Sequence, residues 1–386
     1  MKIIFFANRM PDLCGAFLHD VDLAIEFQKR GHQVVFLIIQ TPKEGYNGST
    51  YQGFRFLHFS AGESFLESSE VWICPHAPCL PDVRKLNNRG YNRPIVATCH
   101  YDGNYSTITR NSGSNWKEML LFINRTMEPN YRKNIVPWPS NIVRTDVVRP
   151  ILHREKIVIE GEDQGVRNRI TLVNANQNKG VSQFLEIARQ NPTRNFLGVL
   201  PYYGELRVPD APPNVEWTPF DDNIRNILKR TRILLMPSYY ESFGRIAVES
   251  MLNGIPVLYS TPQAKSKYPG GSTEGVQEWI GGAGIACDRD RISAWSEAIA
   301  SLDDEGVYAE WSDRVRAHID TMNLFEEAPR IAGVIESFVR ENPVIIRTVQ
   351  EKQGEQARRA APSLVPRQPP PEAKFSLAHG LLKIRR

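Results

Sequence analysis

The sequence predicts an α/β fold made of two doubly wound, parallel-sheet domains in tandem. Short apolar runs alternate with helix-length amphipathic segments through the first half, the pattern of parallel strands joined by covering helices. The alternation breaks around 148–168, where Glu160-Gly161-Glu162-Asp163-Gln164-Gly165 is polar and irregular, and it restarts at Ile170. The 386 residues are enough for two such domains with full cores. The expected domains are 1–155 and 166–325, followed by a C-terminal helix at 326–342 and a Pro-rich basic tail at 343–386, expected to be mobile.

The elements follow in order. Lys2-Ile3-Ile4-Phe5-Phe6-Ala7 reads as the first strand, and the loop from Asn8 to Gly15 leads into a helix. Phe17, Val21 and Ala24 lie on one face of that helix, widened by Leu23 and Phe27 and closed by Gly31. Gln33 to Ile39 and Ile95 to Cys99 are the next strands, the latter ending at His100. In the second series Ile170 to Asn174 is a strand, Val181, Phe184, Leu185 and Ala188 mark a helix, and Asn195 to Leu200 is the following strand. Arg232 to Met236 is a buried strand that stops at Pro237, and Ile255 to Leu258 is its successor, reached through the helix stop Asn253-Gly254. Ala328 to Val339 is the last helix.

Composition narrows the class. No apolar run approaches the ~20 residues of a membrane span, and Met1 to Phe6 lacks the layout of a signal peptide. Five scattered cysteines (Cys14, Cys74, Cys79, Cys99 and Cys287) argue against a disulfide framework and for a reducing, cytoplasmic location. Cys74 to Cys79 has the look of a metal half-site, but no second Cys/His pair accompanies it, so it reads as packing. The net charge is +4, of which +6 sits in 344–386, leaving the body near −2. The body is therefore no obvious polyanion binder, whereas the tail reads as a contact for an anionic partner.

The chemistry concentrates in Tyr240-Glu241-Ser242-Phe243-Gly244-Arg245-Ile246-Ala247-Val248-Glu249. The strand-loop-helix-strand setting puts Glu241 outside the carboxyl end of a parallel strand, where open α/β sheets bind ligands. Eight residues at the helical rise separate the two carboxylates by roughly 10–12 Å, about the span from a sugar through a diphosphate to a ribose. Carboxylates accept paired hydrogen bonds from vicinal diols, and the Phe243-Gly244 backbone at the helix start offers N–H groups to an anion.

This string resembles the Glu-x7-Glu signature of retaining glycosyltransferases of family four, together with Pro237-Ser238 before it and Gly254-Ile255-Pro256-Val257 after it. The resemblance covers about residues 1–330 and implies the GT-B architecture, two Rossmann-like domains facing across a cleft. It also implies retaining, metal-independent transfer from a UDP- or GDP-sugar to a hydroxyl acceptor, with the nucleotide sugar as co-substrate and no other cofactor. Glu249 would hold the ribose, and Glu241 the donor sugar with Ser242, Phe243 and Gly244. Arg245 lies beside the helix start. His100, followed by Tyr101-Asp102-Gly103, matches the family histidine that faces the donor sugar. Gly15 and His19 match the glycine-rich loop near the donor phosphates, with Cys14 where many members have a second glycine. Lys179-Gly180 matches the pair whose lysine neutralises the departing diphosphate. The family arginine expected a few residues earlier is missing from Asn174-Ala175-Asn176. The catalytic set is thus His100, Glu241 and Lys179.

The acceptor is less legible. Pro269-Gly270-Gly271-Ser272-Thr273-Glu274 fits the family's Gly-Gly-x-x-Glu loop by type; Trp72, Tyr101, Tyr105, Arg110 and Trp116 are candidates for an acceptor groove, although scattered aromatics are core residues by default. The acceptor is left open between a glycan, a protein and a modified nucleic acid. Rival readings are an epimerase or hydrolase on nucleotide sugars, or an inactive sugar-nucleotide binding module. The loop after the first strand has no G-x-G-x-x-G, which argues against a dehydrogenase.

Overall fold

The structure is a computed structural model that describes residues 1–8, 13–40, 47–75, 79–103, 105–112, 115–161, 165–202, 210–261 and 273–344. The Arg9 to Asp12 stretch of the first loop, the centre of the Cys74 to Cys79 segment, residues 162–164, Pro269 to Ser272 of the glycine-rich loop and the tail beyond Val344 lie outside the described residues.

Two sheets form the frame. The first holds β1 (Lys2–Ala7), β2 (Gln33–Ile38), β3 (Thr50–Tyr51), β4 (Phe54–His58), β5 (Val71–Pro75), β6 (Ile95–Cys99), β7 (Glu118–Phe122) and β8 (Ile142–Val147). Their order is β3-β4-β2-β1-β5-β6-β7-β8, parallel except for the β3–β4 hairpin. The second holds β9 (Arg169–Val173), β10 (Phe196–Val199), β11 (Val215–Thr218), β12 (Thr231–Met236), β13 (Val257–Ser260) and β14 (Ile285–Cys287), in the order β11-β10-β9-β12-β13-β14. The helices that bear on the site are α1 (Gly15–Lys29), α2 (Arg154–Ile157), α3 (Val181–Gln190), α4 (Arg245–Met251), α5 (Glu274–Ile280) and α6 (Glu327–Glu341).

The apolar runs become strands because helices cover both faces of a parallel sheet, so no strand needs a polar side. Ile3 to Phe6, Val71 to Cys74 and Ile95 to Ala97 are all essentially inaccessible. Phe36 centres an aromatic cluster, with ring centroids 5.1 Å from Phe5, 5.2 Å from Phe54 and 4.6 Å from Phe56. Each sheet has a switch point where chain connections part to opposite sides, between β1 and β5 in the first and between β9 and β12 in the second. Loops leaving the carboxyl ends of these strands diverge and open a crevice.

One expectation needs correction. The strand placed at Ile255 to Leu258 begins later, at Val257, and runs to Ser260. Trp72 and Trp116 are core residues, the default reading for scattered aromatics. Trp72 is fully buried against Phe6, and Trp116 donates its indole N–H to the buried Glu118 at 2.7 Å, alongside the Arg84–Glu118 ion pair. The C-terminal helix expected at 326–342 is α6, which follows the second domain in sequence and packs on α1 of the first. Glu336 accepts from Arg30 at 3.1 Å and bonds His32 at 2.8 Å, and the buried Glu327 is gripped by Arg149 and Arg330. Among the described residues no helix is long and apolar enough to cross a membrane.

Candidate active site

A cavity of about 600 Å³ lies between the two sheets. Gly15, His100, Lys179, Glu241, Ser242, Phe243, Gly244, Arg245 and Glu249, the nine residues singled out from the sequence, all line it. They arrive from the loop after β1, the end of β6, the loop after β9 and the loop after β12. The architecture thus gathers strand carboxyl ends from both sheets into one space.

The loop after β9 is tightly wound. Asn176 accepts from the Lys179 and Val181 backbone N–H groups at 3.1 Å each and donates its side-chain amide to Asn174. Gly180 closes it with φ +80°, and a Cβ there would lie 2.1 Å from the Pro237 carbonyl oxygen, so only glycine fits the approach of the two switch-point loops. That approach delivers Lys179 to Glu241: Nζ stands 2.5 Å from Oε1, which also accepts from the Ser238 hydroxyl at 2.8 Å. Asn174 and Asn176 thus serve loop geometry where the family arginine was expected.

Glu249 lies one helical turn after Arg245, on the same face of α4, and is buried. Arg245 donates from Nε to Glu249 Oε1 at 2.7 Å, from one terminal nitrogen to Asp22 of α1 at 2.8 Å and from the other to the Ile151 carbonyl at 3.2 Å. The guanidinium is therefore committed to protein partners in this state. Asp22 also accepts from Lys156 of α2 at 2.9 Å. Burial works to raise the Asp22 carboxyl, but Arg245 and Lys156 outweigh it and hold it below the ordinary value. Glu249 goes the other way, because burial outweighs the pull of Arg245 and raises it. For Arg245, burial is outweighed by Asp22 and Glu249, which keep the cation firmly charged.

His100 and His19 meet edge to face, with ring centroids 5.2 Å apart. Burial and then Arg245 push His19 down to about 4, so its imidazole is neutral at pH 7. Its Nε2 has no hydrogen-bond partner among the described residues, while the ring lines the cavity. Tyr202, Phe220, Ile224 and Ile246 add an apolar and aromatic lining, with Tyr202 and Phe220 packed edge to face at 5.2 Å.

The walls are tied together across the domains. Asn124 donates to the Ser242 carbonyl at 2.8 Å, the Asp102 backbone N–H donates to the Tyr240 hydroxyl at 3.1 Å, and Trp279 of α5 donates to the Ile123 carbonyl at 3.2 Å. Asp22, Lys156 and Ser238 were missed from the sequence. Ser238 was quoted with the resemblance, just before the motif, but given no role, and Asp22 is one of several polar residues of α1 that an amphipathic reading left unused.

The architecture is GT-B, the fold of a large class of glycosyltransferases. Residues 210–318 match the family model described as Glycosyl transferases group 1. Over 123 residues the chain is 25% identical to D-inositol 3-phosphate glycosyltransferase from Corynebacterium kroppenstedtii, covering 32% of this chain and only about a quarter, 25%, of that relative. Among solved structures, HepE of Anabaena in complex with UDP superposes with a TM-score of 0.66 at 14% identity, covering 87% of this chain and 100% of the other. Sucrose-phosphate synthase from Thermosynechococcus elongatus superposes with a TM-score of 0.64 at 13% identity, covering 88% and 98%.

Proposed function

We propose that this protein is a retaining, metal-independent glycosyltransferase that moves a sugar from a nucleotide-sugar donor, a UDP- or GDP-sugar, to a hydroxyl acceptor. The observation that carries the reading is the convergence of Glu241, Glu249, Lys179, Gly15 and His100 on one cavity between two GT-B domains. The cavity has room for a nucleotide sugar, and HepE, a structural neighbour, is described in complex with UDP and with UDP-glucose.

In this reading Glu249 grips the ribose diol, and Tyr202 and Phe220 offer ring faces to the base. Glu241 takes sugar hydroxyls together with the Phe243 and Gly244 backbone, while His100 meets the sugar from the first domain. Lys179 and Glu241 neutralise one another until a donor divides them, the ammonium turning to the diphosphate and the carboxylate to the sugar. As the bond from the anomeric carbon to phosphate oxygen breaks, Lys179 stabilises the charge that gathers on the diphosphate. The acceptor oxygen bonds the same face, and its proton passes to the departing phosphate oxygen, which retains configuration. In this reading the work of a cation falls to Lys179.

A panel of nucleotide sugars tests this by thermal unfolding and calorimetry. A donor at a hundred times its Kd stabilises by about 2.7 kcal/mol. Donor binding with transfer, or slow release of free sugar and nucleotide, supports the reading. An isomerised donor points to an epimerase, and binding without turnover to a binding module. A second reading changes only the acceptor, to a modified nucleic acid, and the +6 charge of 344–386 favours it. Deleting those residues would then weaken acceptor binding and flatten its salt dependence, whereas a small glycan acceptor would be unaffected.

A further inference from the structure

We infer that Asp22 is a positioning residue for the ribose end of the donor site, acting from the first domain on Glu249 of the second through Arg245. The inference rests on the donor reading above, in which Glu249 takes the ribose diol.

The reasoning starts from guanidinium geometry. Arginine presents its Nε and one terminal nitrogen as a planar fork that closes on both oxygens of one carboxylate, the strongest pairing open to it. Arg245 and Glu249 are one turn apart on the same helix and could pair in that way. They do not. The fork is divided, with Nε on Glu249 Oε1 at 2.7 Å and the terminal nitrogen on Asp22 Oδ2 at 2.8 Å. The remaining terminal nitrogen is anchored on the Ile151 carbonyl at 3.2 Å, which fixes the guanidinium plane. Asp22 is itself held by Lys156 at 2.9 Å and is only 4% exposed, so it is a fixed point. Drawing the second donor away keeps Arg245 to a one-point contact on Glu249 and leaves the other carboxylate oxygen for a ligand. Asp22 belongs to α1 and Glu249 to α4, so the ribose clamp is open to a diol only while the two domains are together.

Without the Asp22 charge, Arg245 turns its fork onto Glu249 and competes with the ribose. The readout is the preference for UDP over 2′-deoxy-UDP, measured by calorimetry, with the donor KM and kcat beside it. Asp22→Asn is expected to raise the donor KM about tenfold with kcat nearly unchanged, and to erase most of the preference for the 2′-hydroxyl. Adding Arg245→Lys, which has a point charge and no fork, is expected to recover part of both. Should Asp22→Asn not fold, Asp22→Asn with Lys156→Met removes the cation left unpaired and carries the same readout. Undiminished 2′-hydroxyl preference in whichever of these folds, or no recovery with Arg245→Lys, overturns the inference. A wild-type protein indifferent to the 2′-hydroxyl overturns instead the placement of ribose at Glu249, so the two failures are distinct.

Discussion

The two carboxylates of the site share a motif and a cavity, yet they are held in opposite ways. Glu241 takes both its partners, Lys179 and Ser238, from its own domain, across the β9/β12 switch point. Glu249 is tied through Arg245 to Asp22 and the Ile151 carbonyl, both from the first domain. The side-chain ties of Glu241 thus lie within one sheet's loops, whereas those of Glu249 depend on both domains.

The sharpest way to break the comparison is to remove each cation. Arg245→Met leaves the buried Glu249 without its cation and Asp22 with Lys156 alone, their side chains being 8% and 4% exposed, and is expected to destabilise the fold by about 3–5 kcal/mol in urea unfolding. Lys179→Met should cost about 1–3 kcal/mol, because Ser238 still donates to Glu241 and the lysine is 29% exposed. Equal losses would mean that the two ends are built alike.

Acid should expose the first domain's share of the cavity. The His19 imidazole titrates at about 4 in the folded chain, against 6.5 unfolded, because of burial and then Arg245. Between those values the unfolded chain binds a proton that the folded chain refuses, so stability is full above 6.5 and falls as pH drops toward 4. The loss attributable to His19 is about 3 kcal/mol, flat below the folded value. Unfolding midpoints of His19→Gln should show a shallower fall than wild type across that window, and parallel curves would contradict the assigned environment.

Function should divide in the same way as stability. Glu249→Gln is expected to weaken donor binding, and Glu241→Ala to lower turnover more than binding, each by about 1.5–3 kcal/mol. Lys179→Ala should depress kcat with a modest change in donor affinity, since its work grows as the diphosphate departs. Steady-state kinetics with calorimetry separates these, and wild-type values in all three variants would remove the site.

How much of this was readable follows from chain distance. Lys2–Ala7 and Ile95–Cys99 were legible as strands because each is a short apolar run, and both stand where the periodicity put them. Val71–Pro75 and Glu118–Phe122 were not, because one ends in proline and the other opens on a glutamate whose partner, Arg84, lies far back in the chain. In the site, Glu241 and Glu249 were visible within one string, and switch-point logic supplied their setting. The Asp22–Arg245 contact joins residues 223 positions apart, which no local pattern encodes. The hint was in α1 itself, where His19, Asp20, Asp22 and Glu26 are all buried on a helix of which only the apolar face was read.

The smallest expected effect on the fold belongs to Gly15, at the start of α1. A Cβ built there meets nothing within 4 Å, so neither packing nor backbone in the free protein calls for glycine. Gly15→Ala should therefore leave stability unchanged or raise it by about 0.5–1 kcal/mol, the usual gain when alanine replaces glycine in a helix. Gly15 lines the cavity, and in the donor reading it is where backbone approaches the diphosphate. A methyl group there should weaken donor binding while thermal unfolding of the free protein stays put, an effect on the ligand alone. Unchanged donor affinity in Gly15→Ala would show that the phosphates do not approach α1, and would assign their binding to the second domain's Lys179 loop. The asymmetry between the two ends would then be sharper still, with the first domain acting on the donor only through His100 and the Asp22–Arg245 bridge.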